Sequence, residues 1–322
     1  MKAPVIVLIL AALGIAGAAQ LVGLPKARVT VHVIGEDGKP IAGVNARFVF
    51  SGEFNSQAIV PVSGETDANG NFTAEGYCDG SFGADFNKTG YYSGSVDIPT
   101  FHESKEGKWQ PWDNTYTTVL RKIGNPIPLY ARKLVLQVPA NGVGCGLDLM
   151  EADWVAPYGK GKVADINVTV TKLEYRSMAD FDVSATVSFP PTDNGIQEIQ
   201  LPKEFSSSLF RWPRMAPEVG YNTEIKTQSL WLNPPNGNAK SINTSKEGQA
   251  YFFRVRTVIQ SGKITSALYG KILGGVAIGP DDSKSCSIGF TYYLNPTPQD
   301  RNLEFGANLF KGLPPLDEIH AP

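Results

Sequence analysis

The chain has 322 residues, enough for two domains of ordinary size, each with its own hydrophobic core. Charged residues make up only 19%, and the 33 glycines and 23 prolines suit many short strands joined by turns better than a helical bundle. The formal net charge is -2 without a long run of one sign, which excludes the basic stripe that a nucleic-acid-binding protein needs.

The N-terminal stretch MKAPVIVLILAALGIAGAAQLVGL is typical of a targeting segment. Lys2 supplies a positive charge, an apolar run follows, and Ala16-Gly17-Ala18 gives a small-residue cleavage pattern, so residues 1–19 are predicted to be a signal peptide. The alternative is an uncleaved anchor reaching residue 24, because roughly 20 apolar residues can span a bilayer. Both interpretations export the rest of the chain to the periplasm, the cell surface or the extracellular space.

Apolar and polar residues alternate directly after this segment. In RVTVHVIGEDGKPIAGVNARFVF, Val29, Val31 and Val33 share one face, and a second apolar face follows a turn at Glu36–Lys39. Such alternation, interrupted by glycine-rich turns, is typical of half-buried strands. With the later segments GSFGADFNKTGYYSGSVDI and TYTTVLRKI, it predicts a compact antiparallel β-sandwich over residues 26–132.

The segment GETDANGNFTAEG, residues Gly64–Gly76, fits either a calcium loop or a tight hairpin turn. A calcium loop that starts at Asp67 needs an acid near its twelfth position, which is Cys78, and the nearby Glu75 is misplaced. Asn69-Gly70 suits a hairpin because both residue types tolerate a positive φ. The sequence therefore predicts a hairpin here, and no metal site or cofactor.

Three motifs of this first sandwich resemble a known module. They are the strand–turn–strand from Val29 to Val44 with its DGKPIAGV turn, the run TDANGNF, and Gly90-Tyr91. Together they resemble the carboxypeptidase regulatory-like domain, from which an insertion containing SQAIVPVS departs. The resemblance implies a transthyretin-like, Ig-like β-sandwich without catalytic residues, acting as an accessory or scaffolding module on an exported protein.

Residues 133–322 contain a second set of strand patterns. The clearest is ADFDVSATVSF, in which Phe181, Val183, Ala185, Val187 and Phe189 alternate with polar residues. QAYFFRVRTVI and ITSALYGKI, joined by QSGK, predict a hairpin, and SCSIGFTYYLN predicts a final long strand. We expect a second antiparallel β-sandwich, and hence an all-β mature chain. The phrases DWVAPYGKGKVAD and YYLNP…DRNLEF resemble uncharacterised exported bacterial proteins, which implies no mechanism.

Residues 202–248 lack a regular alternation of apolar and polar residues, and we predict that they form a long insertion in this second domain. Loops of this length in compact domains are usually functional or flexible. Its aromatic residues Trp212, Tyr221 and Trp231 are therefore predicted to contact a ligand or partner, because Trp and Tyr dominate binding surfaces. The alternative is a structural cap held by buried aromatics.

The densest group of acids is Asp148, Glu151, Asp153 and Asp165. Paired carboxylates beside aromatic residues could run a glycosidase, so these four are the candidate catalytic residues. The alternative is that they are turn and edge-strand charges.

The three cysteines, Cys78, Cys145 and Cys286, allow three different single disulfides, and the sequence does not choose among them. Without a Cys-x-x-Cys motif and with only three histidines, a zinc site is not expected. In the first domain, Trp109 and Trp112 either stack on sugars or plug the end of the sandwich.

Two hypotheses for function follow from these observations. The first is an exported, non-catalytic structural, adhesive or binding protein of the cell envelope or extracellular space. The alternative is a carbohydrate-active protein that binds or hydrolyses glycans. In either case the expected partner is a protein or a glycan at the cell surface, with membrane contact only through an uncleaved N-terminal segment.

Overall fold

The computed structural model describes residues 23–51, 61–97, 101–234, 237–246 and 248–322. Within these ranges the chain is all β, with one 3₁₀ turn at Lys203–Phe205, which confirms the predicted fold class. The cleavage pattern and the apolar run of the predicted signal peptide lie outside the described residues. Among the described residues, no helix has the length and apolar character needed to cross a membrane.

The strands form two compact units. The first contains Met1–Ile123 and Lys203–Arg211, and the second contains Gly124–Pro202 and Trp212–Pro322. The chain thus leaves the second unit for nine residues of the predicted insertion, which belong to the first unit.

The first unit is a sandwich of two sheets. One contains β4, β1 and β9 together with the short pair β7 and β8, and the other has the order β3-β2-β5-β6. The strands are β1 (Lys26–Gly35), β2 (Asn45–Phe50), β3 (Val62–Glu65), β4 (Asn71–Tyr77), β5 (Phe82–Asn87), β6 (Gly94–Asp97), β7 (Glu103–Lys105), β8 (Lys108–Gln110) and β9 (Asn114–Leu120).

Alternation along the strands builds the core of the first unit as the sequence predicts. Val29, Val31 and Val33 of β1 are buried, and so are Phe48 and Phe50 of β2 in the facing sheet. The pairing differs from a purely antiparallel sandwich at β1, which runs parallel to β9 and also to β8. Distant segments can pair in parallel since the chain between them is long enough to return to the same end of the sheet.

The predicted hairpin at Gly64–Gly76 is wrong in its pairing although it is right about the turn. Strand β3 pairs with β2 and strand β4 pairs with β1, so the turn passes from one sheet to the other. The Asp67 carboxylate accepts hydrogen bonds from the backbone N–H groups of Asn69 (2.9 Å) and Asn71 (2.8 Å). Gly70 has φ 74°, and a Cβ there would lie 2.5 Å from the carbonyl oxygen of Val33. Asp67 therefore holds the turn through backbone amides.

The second unit has two six-stranded sheets. Their orders are β15-β18-β19-β20-β10-β21 and β12-β11-β13-β14-β16-β17. The strands are β10 (Ile127–Pro139), β11 (Cys145–Asp148), β12 (Asp153–Trp154), β13 (Ile166–Ser177), β14 (Asp180–Ser188), β15 (Gly195–Gln200), β16 (Glu224–Leu232), β17 (Lys240–Asn243), β18 (Gln249–Gln260), β19 (Lys263–Pro280), β20 (Ser285–Asn295) and β21 (Phe305–Asn308).

The strands predicted from alternation are present in the second unit. Val183, Ala185 and Val187 of β14 are buried in the main core. Strands β18 and β19 form the predicted hairpin, whose two turn residues Ser261 and Gly262 both have positive φ, as a tight two-residue turn requires. Strand β20 covers the segment that was predicted to be a long strand, and the short β21 follows it.

Residues 202–248 are not one irregular insertion. They contain β16, which pairs with β14 from Glu224 to Trp231, and β17, which pairs with β16. Strand β16 escapes recognition in the sequence because Thr227 and Ser229 occupy its inner face where apolar residues would be expected. All three cysteines are buried and unpaired, so none of the three disulfides forms.

Candidate functional site

Asp148, at the end of β11, is the centre of the acidic group. Its side chain is only 2% exposed. One carboxylate oxygen accepts from the backbone N–H groups of Met150 (3.0 Å) and Glu151 (3.3 Å), and the other from those of Lys162 (2.9 Å) and Val163 (3.0 Å). Burial raises the pKa of Asp148, but these four donors outweigh burial and hold it below its ordinary value of 3.8.

Arg256 of β18 connects Asp148 to Asp165. Its Nη2 atom donates to Oδ1 of Asp148 and to Oδ2 of Asp165, both at 2.9 Å, and its Nε atom donates to Oδ1 of Asp165 at 2.8 Å. Asp165 also accepts from the backbone N–H of Leu149 at 3.0 Å. Hydrogen bonds to Asp165, reinforced by the charges of both acids, raise the pKa of Arg256. The arginine is a permanent cation between two buried carboxylates.

Asp153 and Glu151 also bind parts of the same loop. Asp153 accepts from the backbone N–H groups of Trp154 (2.8 Å) and Lys160 (2.9 Å), and Glu151 forms an ion pair with Lys162. The Gly-Lys-Gly-Lys run needs its glycines because neighbouring backbone atoms leave no room for a Cβ. A Cβ on Gly161 would lie 2.7 Å from the carbonyl oxygen of Asp153. The run thus wraps backbone amides around two of the acids.

The acidic group therefore stabilises a loop through bonds that occupy its carboxylates. A glycosidase acid needs a raised pKa so that it holds a proton at working pH, whereas the pKa of Asp148 is lowered. Asp148 also contacts the guanidinium of Arg256, and a neighbouring cation favours the ionised form of this acid. The geometry supports the alternative of turn charges over acid–base chemistry, and catalysis at these four residues stays a prediction for an activity assay.

The aromatic residues of the predicted contact surface lie in three different environments. Trp212 is 5% exposed, with its ring 5.9 Å from that of Phe252 in a T-shaped arrangement. The hydroxyl of Tyr221 donates to the carbonyl oxygen of Pro217 at 2.8 Å, and the guanidinium of Arg254 lies 4.8 Å from its ring centre. Burial raises the pKa of Tyr221. Trp212 and Tyr221 have the packing of a structural cap.

Trp231, in contrast, is 44% exposed and lies in a row of aromatic residues. Tyr175 of β13 is directly opposite Phe181 of β14, and Phe181 is directly opposite Trp231 of β16. Directly paired residues of antiparallel strands share one face, with Cβ atoms about 4.5–5.5 Å apart. Ser241 of β17 continues the row beyond Trp231. We refer to Tyr175, Phe181 and Trp231 as the aromatic row.

A polar cavity of about 300 Å³ lies between the two sheets of the second unit, and sequence reasoning missed it. Edge strand β15 and its neighbour β18 contribute Glu198, Gln249 and Tyr251, while β16 and the segment after β17 contribute Thr227 and Lys246. One sequence signal could have revealed it. Glu198 follows the buried Ile196 at a spacing of two, which places an acid on the inner face of a strand.

In the first unit, Trp109 and Trp112 have different surroundings. The indole N–H of Trp109 donates to the carbonyl oxygen of Cys78 at 2.9 Å, and its ring stacks on Phe101 at 5.9 Å. Trp112 is half-buried, and the Lys108 ammonium lies 5.0 Å from its ring centre. Trp109 thus plugs the sandwich, as one of the two sequence interpretations expects.

Comparisons with known proteins assign no family. No family model matches the chain, and no curated protein matches it. Seventeen chains of known structure match it. One is 3-chlorocatechol 1,2-dioxygenase from Rhodococcus opacus 1CP, with 13% identity and a TM-score of 0.26 over 31% of this chain and 61% of that chain.

Two pilins are also among the matching structures. The major pilin SpaD from Corynebacterium diphtheriae has 11% identity and a TM-score of 0.22, over 83% of this chain and 57% of that chain. BcpA, the major pilin subunit of Bacillus cereus, has 11% identity and a TM-score of 0.22, over 86% of this chain and 95% of that chain. The chain spans less than two thirds of the dioxygenase and of SpaD. TM-scores this low give no basis for assigning a function to the chain from these structures.

Proposed function

We propose that the protein is an exported, non-catalytic structural, adhesive or binding protein of the cell envelope or extracellular space. The observation that carries the proposal is the use of the acidic group. Hydrogen bonds from backbone amides and from Arg256 occupy the carboxylate oxygens of Asp148, Asp153 and Asp165. These three acids therefore support a loop. The N-terminal targeting pattern supports export.

The test is an assay of the mature protein against a panel of soluble polysaccharides, with the release of reducing ends as the readout. We expect no release above the level of a heat-denatured sample. Release by the wild type that disappears in Asp153→Asn or in Glu151→Gln, with the melting temperature of the variant preserved, would establish a glycosidase and overturn the proposal.

The second candidate function is glycan binding without hydrolysis, and the aromatic row favours it. Trp231 exposes nearly half of its surface, Tyr175 is half-buried, and Phe181 between them packs partly against the main core. Ser241 adds a hydroxyl at the end of the row. Aromatic faces stack on the apolar faces of sugars and provide a large contact area at a small cost in conformational entropy. A surface of this kind suits an adhesive role.

A glycan array with the wild type and two tryptophan variants tests this candidate. We expect Trp231→Ala to lose binding with little change in melting temperature, because the side chain is exposed. Trp112→Ala, in the first unit, is the matched control and should bind as the wild type does. Equal binding by the wild type and Trp231→Ala would exclude the aromatic row as the contact surface.

We propose further that the first unit is a carboxypeptidase regulatory-like domain. Its two facing sheets, the turn at Asp67–Asn71 and the positive φ of Gly90 in the Gly-Tyr motif support this assignment. A domain of this kind would serve as a scaffold. Expression of residues 24–123 by themselves would not test the assignment, since Lys203–Arg211 also belong to the unit; a structure-based alignment with solved members of the family would.

A further inference from the structure

The polar cavity of the second unit is lined by a tyrosine whose hydroxyl bonds to no described residue. Tyr251 of β18 lines the cavity and is only 5% exposed. Buried polar groups are nearly always bonded. Among the described residues nothing forms a hydrogen bond with the Tyr251 hydroxyl, and it is not one of the side-chain atoms sealed from solvent without a partner, so solvent reaches it through the cavity. Tyr292, a buried tyrosine of the same unit, follows the rule and donates to the carbonyl oxygen of Leu149 at 2.6 Å. The Tyr251 hydroxyl is therefore available to a ligand.

Glu198 lines the same cavity, and one of its carboxylate oxygens accepts a hydrogen bond from a neighbouring side chain. Glu198 is the direct cross-strand neighbour of Tyr251. Its Oε1 atom accepts from Nε2 of Gln249 at 3.0 Å, and the Oε1 atom of Gln249 accepts from the backbone N–H of Lys246 at 3.1 Å. Burial, and to a smaller extent the charge of Glu198, raises the pKa of Tyr251 to about 12, so its hydroxyl is a donor at neutral pH. The cavity thus presents a donor next to an acceptor.

The charges and walls of the cavity restrict the ligand. The lining contains the carboxylate of Glu198 and the ammonium groups of Lys226 and Lys246, and neutral hydroxyl groups can bond to all three because they both donate and accept. Ile225 and Val276 add an apolar patch to the lining. A volume of about 300 Å³ is at the lower end of the range for ligand pockets, the size that suits one small ring.

We propose that this cavity binds one neutral pyranose unit of a glycan. Tyr251 donates a hydrogen bond to a sugar hydroxyl oxygen, Glu198 accepts hydrogen bonds from sugar hydroxyl groups, and Ile225 and Val276 contact the apolar face of the ring. This inference rests on the proposed function as a binding protein and names the ligand class and the site. It is independent of the aromatic row, because it uses different residues of the same unit.

The experiment is a titration of the mature protein with a panel of neutral pyranoses, followed by ligand-observed NMR and calorimetry. For one sugar ring we expect a Kd of about a millimolar. Tyr251→Phe should weaken binding about fivefold to tenfold, which is the effect of one lost hydrogen bond. Its melting temperature should not fall, because the hydroxyl has no partner among the described residues. Glu198→Gln should also weaken binding while the fold is preserved.

Tyr292→Phe is the matched control. It removes a hydroxyl that the protein itself uses, so its melting temperature should fall while the Kd for the sugar stays that of the wild type. The proposal is overturned if no neutral pyranose binds, if a charged amino acid or a uronate binds in preference, or if Tyr251→Phe binds as the wild type does. None of these results touches the proposed non-catalytic function, which fails only if the protein releases reducing ends.

Discussion

The ion-paired group around Arg256 gives the sharpest prediction about stability. Its guanidinium donates three hydrogen bonds, at 2.8, 2.9 and 2.9 Å, to two carboxylates that are 2% and 1% exposed. The change Arg256→Met keeps the apolar stem of the side chain and removes the charge. Both residues have a Cβ, so the strain of the positive φ at this position, 53°, is the same in the two proteins.

The expected loss follows from the burial of the acids. Removing one partner of a buried ion pair leaves an uncompensated charge and typically costs about 3–5 kcal/mol. The side chain of Arg256 is 26% exposed, so water screens part of the interaction and we expect the lower figure, about 3 kcal/mol. For a unit of this size that loss lowers the melting temperature by roughly 6–12 °C.

The dependence on pH has a definite sign. The pKa of Asp148 in the folded protein is below its ordinary value of 3.8, so this acid adds stability above that pH. The contribution is lost as the pH falls through the folded-state pKa. Without Arg256 the pKa of Asp148 rises, and protonation relieves the buried charge. The difference in stability between the variant and the wild type should therefore be largest near neutral pH and shrink below about pH 4.

Urea unfolding of the two proteins at about pH 7 and about pH 3 measures both effects. The control is Arg176→Met, which removes an exposed ion pair with Asp180 and should leave the free energy of unfolding nearly unchanged. A loss at Arg256 no greater than the loss at Arg176 would refute the reasoning. So would a loss that is the same at both pH values, because it would then arise from packing and not from charge.

Three further predictions concern the loop, the turn and the thiols. Gly161→Ala places a Cβ 2.7 Å from a carbonyl oxygen and should cost about 1–3 kcal/mol in a thermal melt, whereas Gly83→Ala, with no atom within 4 Å, should cost far less. Asp67→Ala removes two hydrogen bonds from the turn between sheets and should cost about 1 kcal/mol, with the same melting temperature shift in the presence and absence of calcium; a calcium-dependent shift would indicate a metal site. All three thiols should resist a thiol reagent in the native protein and react after unfolding, because they are buried, and burial raises the pKa of Cys286 to about 11; rapid labelling of the native protein would contradict this.

The local pattern of the sequence was enough to predict the strands with a clear alternation of apolar and polar residues. Alternation identified β1, β14, the β18–β19 hairpin and β20, since a period of two depends only on which side chains face the core. It also identified the turn at Asp67–Asn71, because the carboxylate of Asp67 and the backbone freedom of Gly70 act within a few residues.

Only the tertiary structure determines which strands pair with each other. The turn at Asp67 joins strands of different sheets, and β16 lies beside β14 although polar residues on its inner face hide it in the sequence. Such pairings depend on contacts far apart along the chain, and no local pattern encodes them.

The contacts and burial of individual side chains are likewise determined by the fold. Asp148 and Asp165 attract attention as a dense acidic pair, yet Arg256, 108 and 91 residues further along, binds both of them. Tyr251 looks like one more apolar residue of a strand until Glu198 and Thr227, from two different sheets, line an open cavity beside it. A sequence states which groups are present, but the distance and burial that determine their chemistry exist only once the two sheets have packed together.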